Sequence, residues 1–201
     1  MPRPPRHPSS RASSGAAKIP AYWRGKLDRV LIPESRLKRR VTELAHQLET
    51  DYANRELVIV AILNGTVMFL ADLVRHLELP LRLDFLAVSS YGSGTTPGRL
   101  HFTKELKLDV RGRDVLLVDD ILDTGRTLKA VISRLKRFRP KSLKTCVLLN
   151  KQARRIEPIA ADYIGFEIED FFVVGYGLDF AEAYRNLPFI AVLKESIYRQ
   201  P

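Results

Sequence analysis

"VLLVDDILDTGRTL", residues 115–128, sets four apolar residues directly before two acids, then a third acid, then Thr-Gly-Arg-Thr. The apolar run reads as a buried strand. Leu128, Val131, Ile132, Leu135 and Phe138 then recur at helical spacing. Strand, tight turn and helix therefore follow in order. The same order appears upstream, where "LVIVAIL" at 57–63 is broken by "NGT" and followed by Val67, Leu70, Ala71, Val74 and Leu77 at helical spacing. Residues 33–50 form a further helix, with Leu37, Val41, Leu44, Ala45 and Leu48 on one face. "LRLDFLAV" at 81–88 and "LKTCVLL" at 143–149 read as strands, and "DYIGFE" and "FFVVGYG" are β-like. Strands alternating with helices at these lengths predict an α/β fold with a mostly parallel twisted sheet flanked by helices.

In open parallel sheets, ligands sit beyond the carboxyl ends of the strands. Three chemically loaded segments begin there: "NGT" at 64, "SSYG" at 89 and "DDILDTGRT" at 119. The last is electrostatically odd. A helix start favours anions, because its unpaired N–H groups and positive dipole end point outward. Thr124, Gly125, Arg126 and Thr127 suit a phosphate, yet Asp119, Asp120 and Asp123 crowd beside them. Alternation along a strand sends Asp119 and Asp120 to opposite faces, so they need not crowd each other. The acids suit a hard cation or the hydroxyls of a sugar. The Walker pattern GxxxxGK[ST] is absent, which argues against a nucleoside-triphosphate loop.

"VLLVDDILDTGRTL" resembles the phosphoribosyl-diphosphate signature of type I phosphoribosyltransferases. "ILNGT", "SSYG", "LLNK" and "GFEIEDFFVVGYGLDFAEAYRNLP" resemble further landmarks of the hypoxanthine–guanine branch, over about residues 25–197. The resemblance implies a small hood formed by the terminal segments. It also implies roles. Asp119 and Asp120 handle the ribose hydroxyls, directly or through magnesium, and Thr124, Gly125, Arg126 and Thr127 cradle the 5-phosphate. Asp123 serves as general base or acid at N7 of the purine. Lys151 reads the 6-oxo group, Phe172 stacks on the base and the Val173 backbone reads its other edge. Asp179 is a ligand of a second magnesium beside the purine. Leu63, Asn64 and Gly65, with a cis peptide between the first two, receive pyrophosphate, helped by Arg185 and Arg155. Ser90 and Tyr91 begin a mobile lid. Asn64 stands where many relatives carry Lys, and Asp119 where many carry Glu.

Bulk properties narrow the rest. The 201 residues, 45% hydrophobic and 28% charged, fit one ordinary globular domain, and no stretch is apolar for long enough to span a membrane. The net charge is +10, and Arg3, Arg6, Arg11 and Lys18 supply four of these charges from an acid-free, Pro- and Ser-rich start. Residues 1–20 are expected to be a disordered basic tail ahead of a domain at 21–201. The tail lacks the apolar core of a secretory signal and the amphipathic pattern of a transit peptide. "RLKRFRPKSLK" at 134–144 reads as the solvated end of a helix, without the interleaved aromatics of a nucleic-acid platform. Cys146, the single cysteine, reads as a small buried residue compatible with a reducing cytoplasm. The four histidines have no metal-ligand spacing.

The expectation is a cytoplasmic, magnesium-dependent purine salvage enzyme, working as a homodimer or homotetramer without membrane or nucleic-acid partners. It would take 5-phospho-α-D-ribose 1-diphosphate and a 6-oxopurine to IMP or GMP. Two rivals stay open: the same chemistry on xanthine, and a nucleotide- and RNA-binding regulator without significant catalysis. A diphosphokinase is disfavoured by the missing ATP signature.

Overall fold

The computed structural model describes residues 19–90 and 100–199. The expected disorder of the tail therefore falls outside it, apart from residues 19 and 20. A 3-10 turn at Ala21–Trp23 leads into β1 (Leu27–Ile32), α1 (Glu34–Asp51), β2 (Leu57–Leu63), α2 (Val67–Val74), β3 (Leu81–Ser90) and β4 (Leu100–Lys104). β5 (Asp114–Leu122), α3 (Arg126–Arg137), β6 (Ser142–Lys151), β7 (Tyr163–Ile168), β8 (Val173–Val174), β9 (Ile190–Leu193) and α4 (Glu195–Tyr198) follow.

The main sheet has the order β4-β3-β2-β5-β6-β7. β3, β2, β5, β6 and β7 run parallel, and only β4 is antiparallel, on β3. Strict alternation explains how both faces are filled. Leu57, Ile59 and Ala61 of β2, with Leu116 and Val118 of β5, meet α1 and α2 through Leu37, Val41, Leu44, Leu48, Phe69 and Leu73. Val58, Val60 and Ile62, with Val115 and Leu117, meet α3 through Leu128, Val131 and Leu135. Cys146 is fully buried on the first face, and burial pushes its thiol up to about 12, so it is inert packing.

The second sheet, β1-β9-β8, is antiparallel. It draws one strand from near the start of the chain and two from near its end, matching the expected hood. Leu27, Val174, Tyr184, Leu187, Phe189, Ala191 and Leu193 form its own core. Most of "FFVVGYG" turns out not to be strand. Only Val173 and Val174 form a strand, because Gly175, Tyr176 and Gly177 take positive φ of 99°, 53° and 102° and turn the chain back toward the main sheet.

Leu116 makes the central strand stick to the α1 layer and is fully buried. Replacing Leu116 by Ala is expected to lower unfolding free energy by about 2–5 kcal/mol in urea denaturation. Phe138 to Ala, at a residue 40% exposed at the end of α3, is expected to change it by less than about 0.5 kcal/mol.

Candidate active site

The loaded segments sit where the topology requires. β3, β2 and β5 are parallel neighbours, so Ser90, Leu63 and Asp119–Leu122 end on one edge of the sheet. The backbone of Ser90 is still paired, opposite Leu100, while Tyr91 lies outside the described residues. β6 brings Lys151 to the same edge from the other side of β5.

The Leu63–Asn64 peptide is cis. Thr66, 1% exposed, donates its hydroxyl to the carbonyl of Ile62, which ties the loop back onto β2. Gly65 has no room for a side chain. A Cβ there would run into the Asp120 carboxylate, and the Gly65 carbonyl in turn fills the space where a Cβ of Gly177 would sit. The β2–α2 loop, the acid pair and the Gly175–Leu178 turn therefore interlock through two glycines. Asn64 is exposed.

Asp119 is buried and its Oδ1 accepts the Asp120 N–H at 3.0 Å. The expected separation of the two acids is only partial. Burial raises the proton affinity of Asp119 well above the usual carboxylate value, and the neighbouring Asp120 raises it further. Burial raises Asp120 as well, against opposing hydrogen bonds and the positive charge of Arg185. Alternation keeps the side chains on different faces of a strand, but it does not uncouple charges in a place where little water screens them. Among the described residues, no group of three or more His, Cys, Asp or Glu side chains converges on a point.

The next turn makes the anion cradle. Gly125, at φ 83°, caps α3, and its left-handed backbone aims the loop across the helix start. The Thr124 carbonyl accepts the N–H groups of Ile156 and Glu157, each at 3.0 Å, so the segment after β6 lies against the cradle. Asp123 looks the other way. Its Oδ1 is buried and accepts no hydrogen bond among the described residues, while Oδ2 faces the Arg154 guanidinium at 3.7 Å. A buried carboxylate oxygen without a donor is costly unless something else supplies the proton or the hydrogen bond.

On the far side, Lys151 is 5% exposed and meets Asp170 at 3.6 Å. Phe172 and Val173 stand in the hood. The Phe172 ring stacks on Tyr198 at 4.6 Å between centroids and takes Phe180 edge-on at 5.7 Å. Asp179 forms an ion pair with Arg185 at 2.9 Å, and Arg185 also donates to the Gly177 carbonyl at 2.8 Å, beside the interlocked glycines. Arg155 turns inward onto the carbonyls of Leu122, Asp123, Lys151 and Ile159 and onto Asn150 Oδ1. Asn150, Arg154 and Tyr198 were not singled out from sequence. "LLNK" held a signal for Asn150, a polar residue inside an otherwise apolar strand.

Residues 33–181 match the family described as phosphoribosyl transferase domain. The chain belongs to that phosphoribosyltransferase family. It is 47% identical over 174 residues to the hypoxanthine-guanine phosphoribosyltransferase of Aquifex aeolicus, covering 86% of this chain and 98% of that one. It is 45% identical over 175 residues to the bifunctional protein TilS/HprT of Listeria monocytogenes, covering 87% of this chain but spanning only 27% of that protein. A crystal structure of a hypoxanthine phosphoribosyltransferase from Staphylococcus aureus superposes with a TM-score of 0.86 at 41% identity, covering 91% of this chain and all of that one.

Two outcomes follow from this geometry. A carboxyl whose folded value is raised lends stability below its unfolded value, near 3.8 for Asp119, and withdraws it as pH climbs through the folded value. Chelator-treated Asp119→Asn protein is therefore expected to melt higher than the parent at neutral pH, with the gap closing toward pH 4, in scanning calorimetry. Gly65→Ala is expected to push Asp120 aside and to weaken binding of the phosphorylated sugar by at least tenfold in titration calorimetry.

Proposed function

We propose that the protein transfers phosphoribose from 5-phospho-α-D-ribose 1-diphosphate to N9 of hypoxanthine or guanine, forming IMP or GMP and releasing pyrophosphate. The observation that carries this reading is the orphaned Oδ1 of Asp123, in the turn that leaves β5 just past the Leu122–Asn150 pair, while buried Lys151 follows Asn150 on β6.

Each part has a task. Thr124 to Thr127 grip the 5-phosphate with N–H groups, hydroxyls and the Arg126 cation. Asp119 and Asp120 face the ribose hydroxyls. As the N9–C1 bond forms and the bond from C1 to the pyrophosphate oxygen breaks, N7 loses its proton to Asp123. Lys151 donates to the 6-oxo group, Phe172 offers a ring face, and the Val173 backbone meets the opposite edge of the base. Leu63, Asn64 and Gly65 present backbone groups to the departing pyrophosphate, with Arg185 close by. Ser90 and Tyr91 open the segment that closes over the site and keeps water from competing.

A magnesium ion fits the donor set. A buried and a half-buried carboxylate whose proton affinity is raised need a positive partner, and Asp179 stands near Arg185 on the pyrophosphate side. Asp119 and Asp120 would hold one such ion and Asp179 a second, each together with water and substrate oxygens, since magnesium rarely takes an all-protein cage. When bound, it would neutralise charge building on the leaving group.

The same reading makes the chain a homo-oligomer. Val67 and Met68 at the start of α2 are 42% and 40% exposed. Met68 lines a groove of about 530 Å³ with Leu37, Ala71, Leu187 and Pro188, next to Arg185. Burying that face against a second copy would steady the pyrophosphate side. No helix among the described residues is long and apolar enough to cross a membrane. The reading places the enzyme in the cytoplasm.

The test is direct: protein, magnesium, the sugar diphosphate and hypoxanthine, guanine or xanthine in turn, with nucleotide followed by absorbance. Failure to form nucleotide with any of them sinks the proposal. Asp123→Asn is expected to lower kcat by roughly 10²–10⁴ while leaving the KM for the sugar diphosphate within a few-fold. Lys151→Ala is expected to raise the KM for base by at least about tenfold, the equivalent of one lost charge-assisted hydrogen bond.

A further inference from the structure

The last registered residue of β5, Leu122, lies opposite Asn150 of β6, and beyond that pair the two chains part. Asp123 leaves toward the anion cradle, while Lys151 continues at the end of β6. Ladder hydrogen bonds no longer hold them together. One side chain spans the gap. Arg155 donates Nε to the Asp123 carbonyl at 2.9 Å, and Nη2 to the Leu122 carbonyl at 3.0 Å, the Lys151 carbonyl at 3.0 Å and Asn150 Oδ1 at 2.5 Å. Nη1 donates to the Ile159 carbonyl at 2.5 Å.

The acceptors are themselves held. Asn150 is 5% exposed, and its amide nitrogen donates to both oxygens of Glu167 at 2.9 Å. That fixes which way the amide points. The reverse orientation would set its oxygen against a carboxylate and its NH₂ against a guanidinium. Gly125 contributes too, since a Cβ there would lie 3.3 Å from Arg155 Cδ and 2.8 Å from Ile159 Cγ2. Glu167, Asn150, Arg155 and the backbone of Asp123 therefore form one chain of contacts from β7 to the turn before α3.

We infer that Arg155 is a positioning residue, which fixes the spacing of Asp123 and Lys151 by clamping the backbones that carry them, and is not a contact to pyrophosphate. The inference rests on the proposed reaction, in which those two side chains meet one purine. The planar fork of five N–H donors suits this task, and a lysine ammonium does not. A displacement of about 1 Å between groups that must engage one ring costs roughly 10²-fold in rate.

The test compares steady-state parameters of the parent, Arg155→Lys, Arg155→Met and Asn150→Leu, with melting temperatures recorded for each. The expected result is a kcat lowered roughly 10- to 100-fold and a KM for base raised several-fold in both Arg155 variants. The KM for the sugar diphosphate and the inhibition constant of pyrophosphate should move less than about twofold, since no donor contact is lost. Asn150→Leu, which removes an acceptor without touching the arginine, should shift the same parameters in the same direction. The double variant Asn150→Asp with Glu167→Gln keeps an acceptor for Arg155 and a donor for that acceptor, and should recover most of the parent kcat. Arg155 variants that raise the KM for the sugar diphosphate and weaken pyrophosphate inhibition, with base kinetics unchanged, overturn the inference. So do variants that lose only melting temperature while kcat per folded site is kept, or a double variant no better than Asn150→Leu. A parent protein that makes no nucleotide overturns the reading beneath the inference, and the inference with it.

Discussion

Two adjacent carboxylates, Asp119 and Asp120, are driven into the end of the central strand of a sheet covered on both faces. The rest of the site depends on that placement. Each acid resists ionisation there because burial strips away hydration, and the charge of Asp120 adds to the effect on Asp119. Such a pair is held only by a scaffold rigid enough to prevent escape to solvent. β5 is that scaffold, flanked by β2 and β6 and packed between α1 and α2 on one side and α3 on the other. The energy to hold the acids comes from the apolar layers, and a partner with positive charge or hydroxyl donors relieves it.

The loops around the acids have little freedom of their own. Gly65 is small because Asp120 is beside it, and Gly177 is small because the Gly65 carbonyl is beside it. Arg185 joins that stack by bonding the Gly177 carbonyl and Asp179 while its charge acts on Asp120. The β2–α2 side of the site is thus one contact network that reaches from β2 to the hood. The β6 side is a second network, through Arg155, Asn150 and Glu167, and the two meet at the strand that carries the acids.

Much of this was legible in the residues. The apolar runs at 57–63 and 115–118 announced strands buried on both faces, and the period-3.6 pattern after each announced covering helices. The string of acids before Thr-Gly-Arg-Thr is too unusual for a simple cap. The hood was less legible. β1 has only Leu27 and Ile32 fully buried, and β8 is two residues long, so neither carries a strong local period. The pairing of β1 with β9 joins segments more than 150 residues apart, which no local pattern encodes. The surroundings of Arg155 were hard to read for a similar reason. An arginine after a strand, near expected phosphates, suggests an anion contact, and only the backbone carbonyls around it show where its donors go.

The amino-acid order alone determined the layered α/β architecture, the edge of the sheet that bears the chemistry and the family resemblance. Periodicity and strand–loop–helix punctuation are local properties, and local properties survive in one dimension. Tertiary structure alone decided that Asp119 and Asp120 act on each other despite their alternation. It also left Asp123 with an unsatisfied oxygen and turned the donors of Arg155 onto backbone carbonyls and Asn150. Those outcomes depend on which groups exclude water and which carbonyls converge, and both are set only when distant segments close around the end of β5.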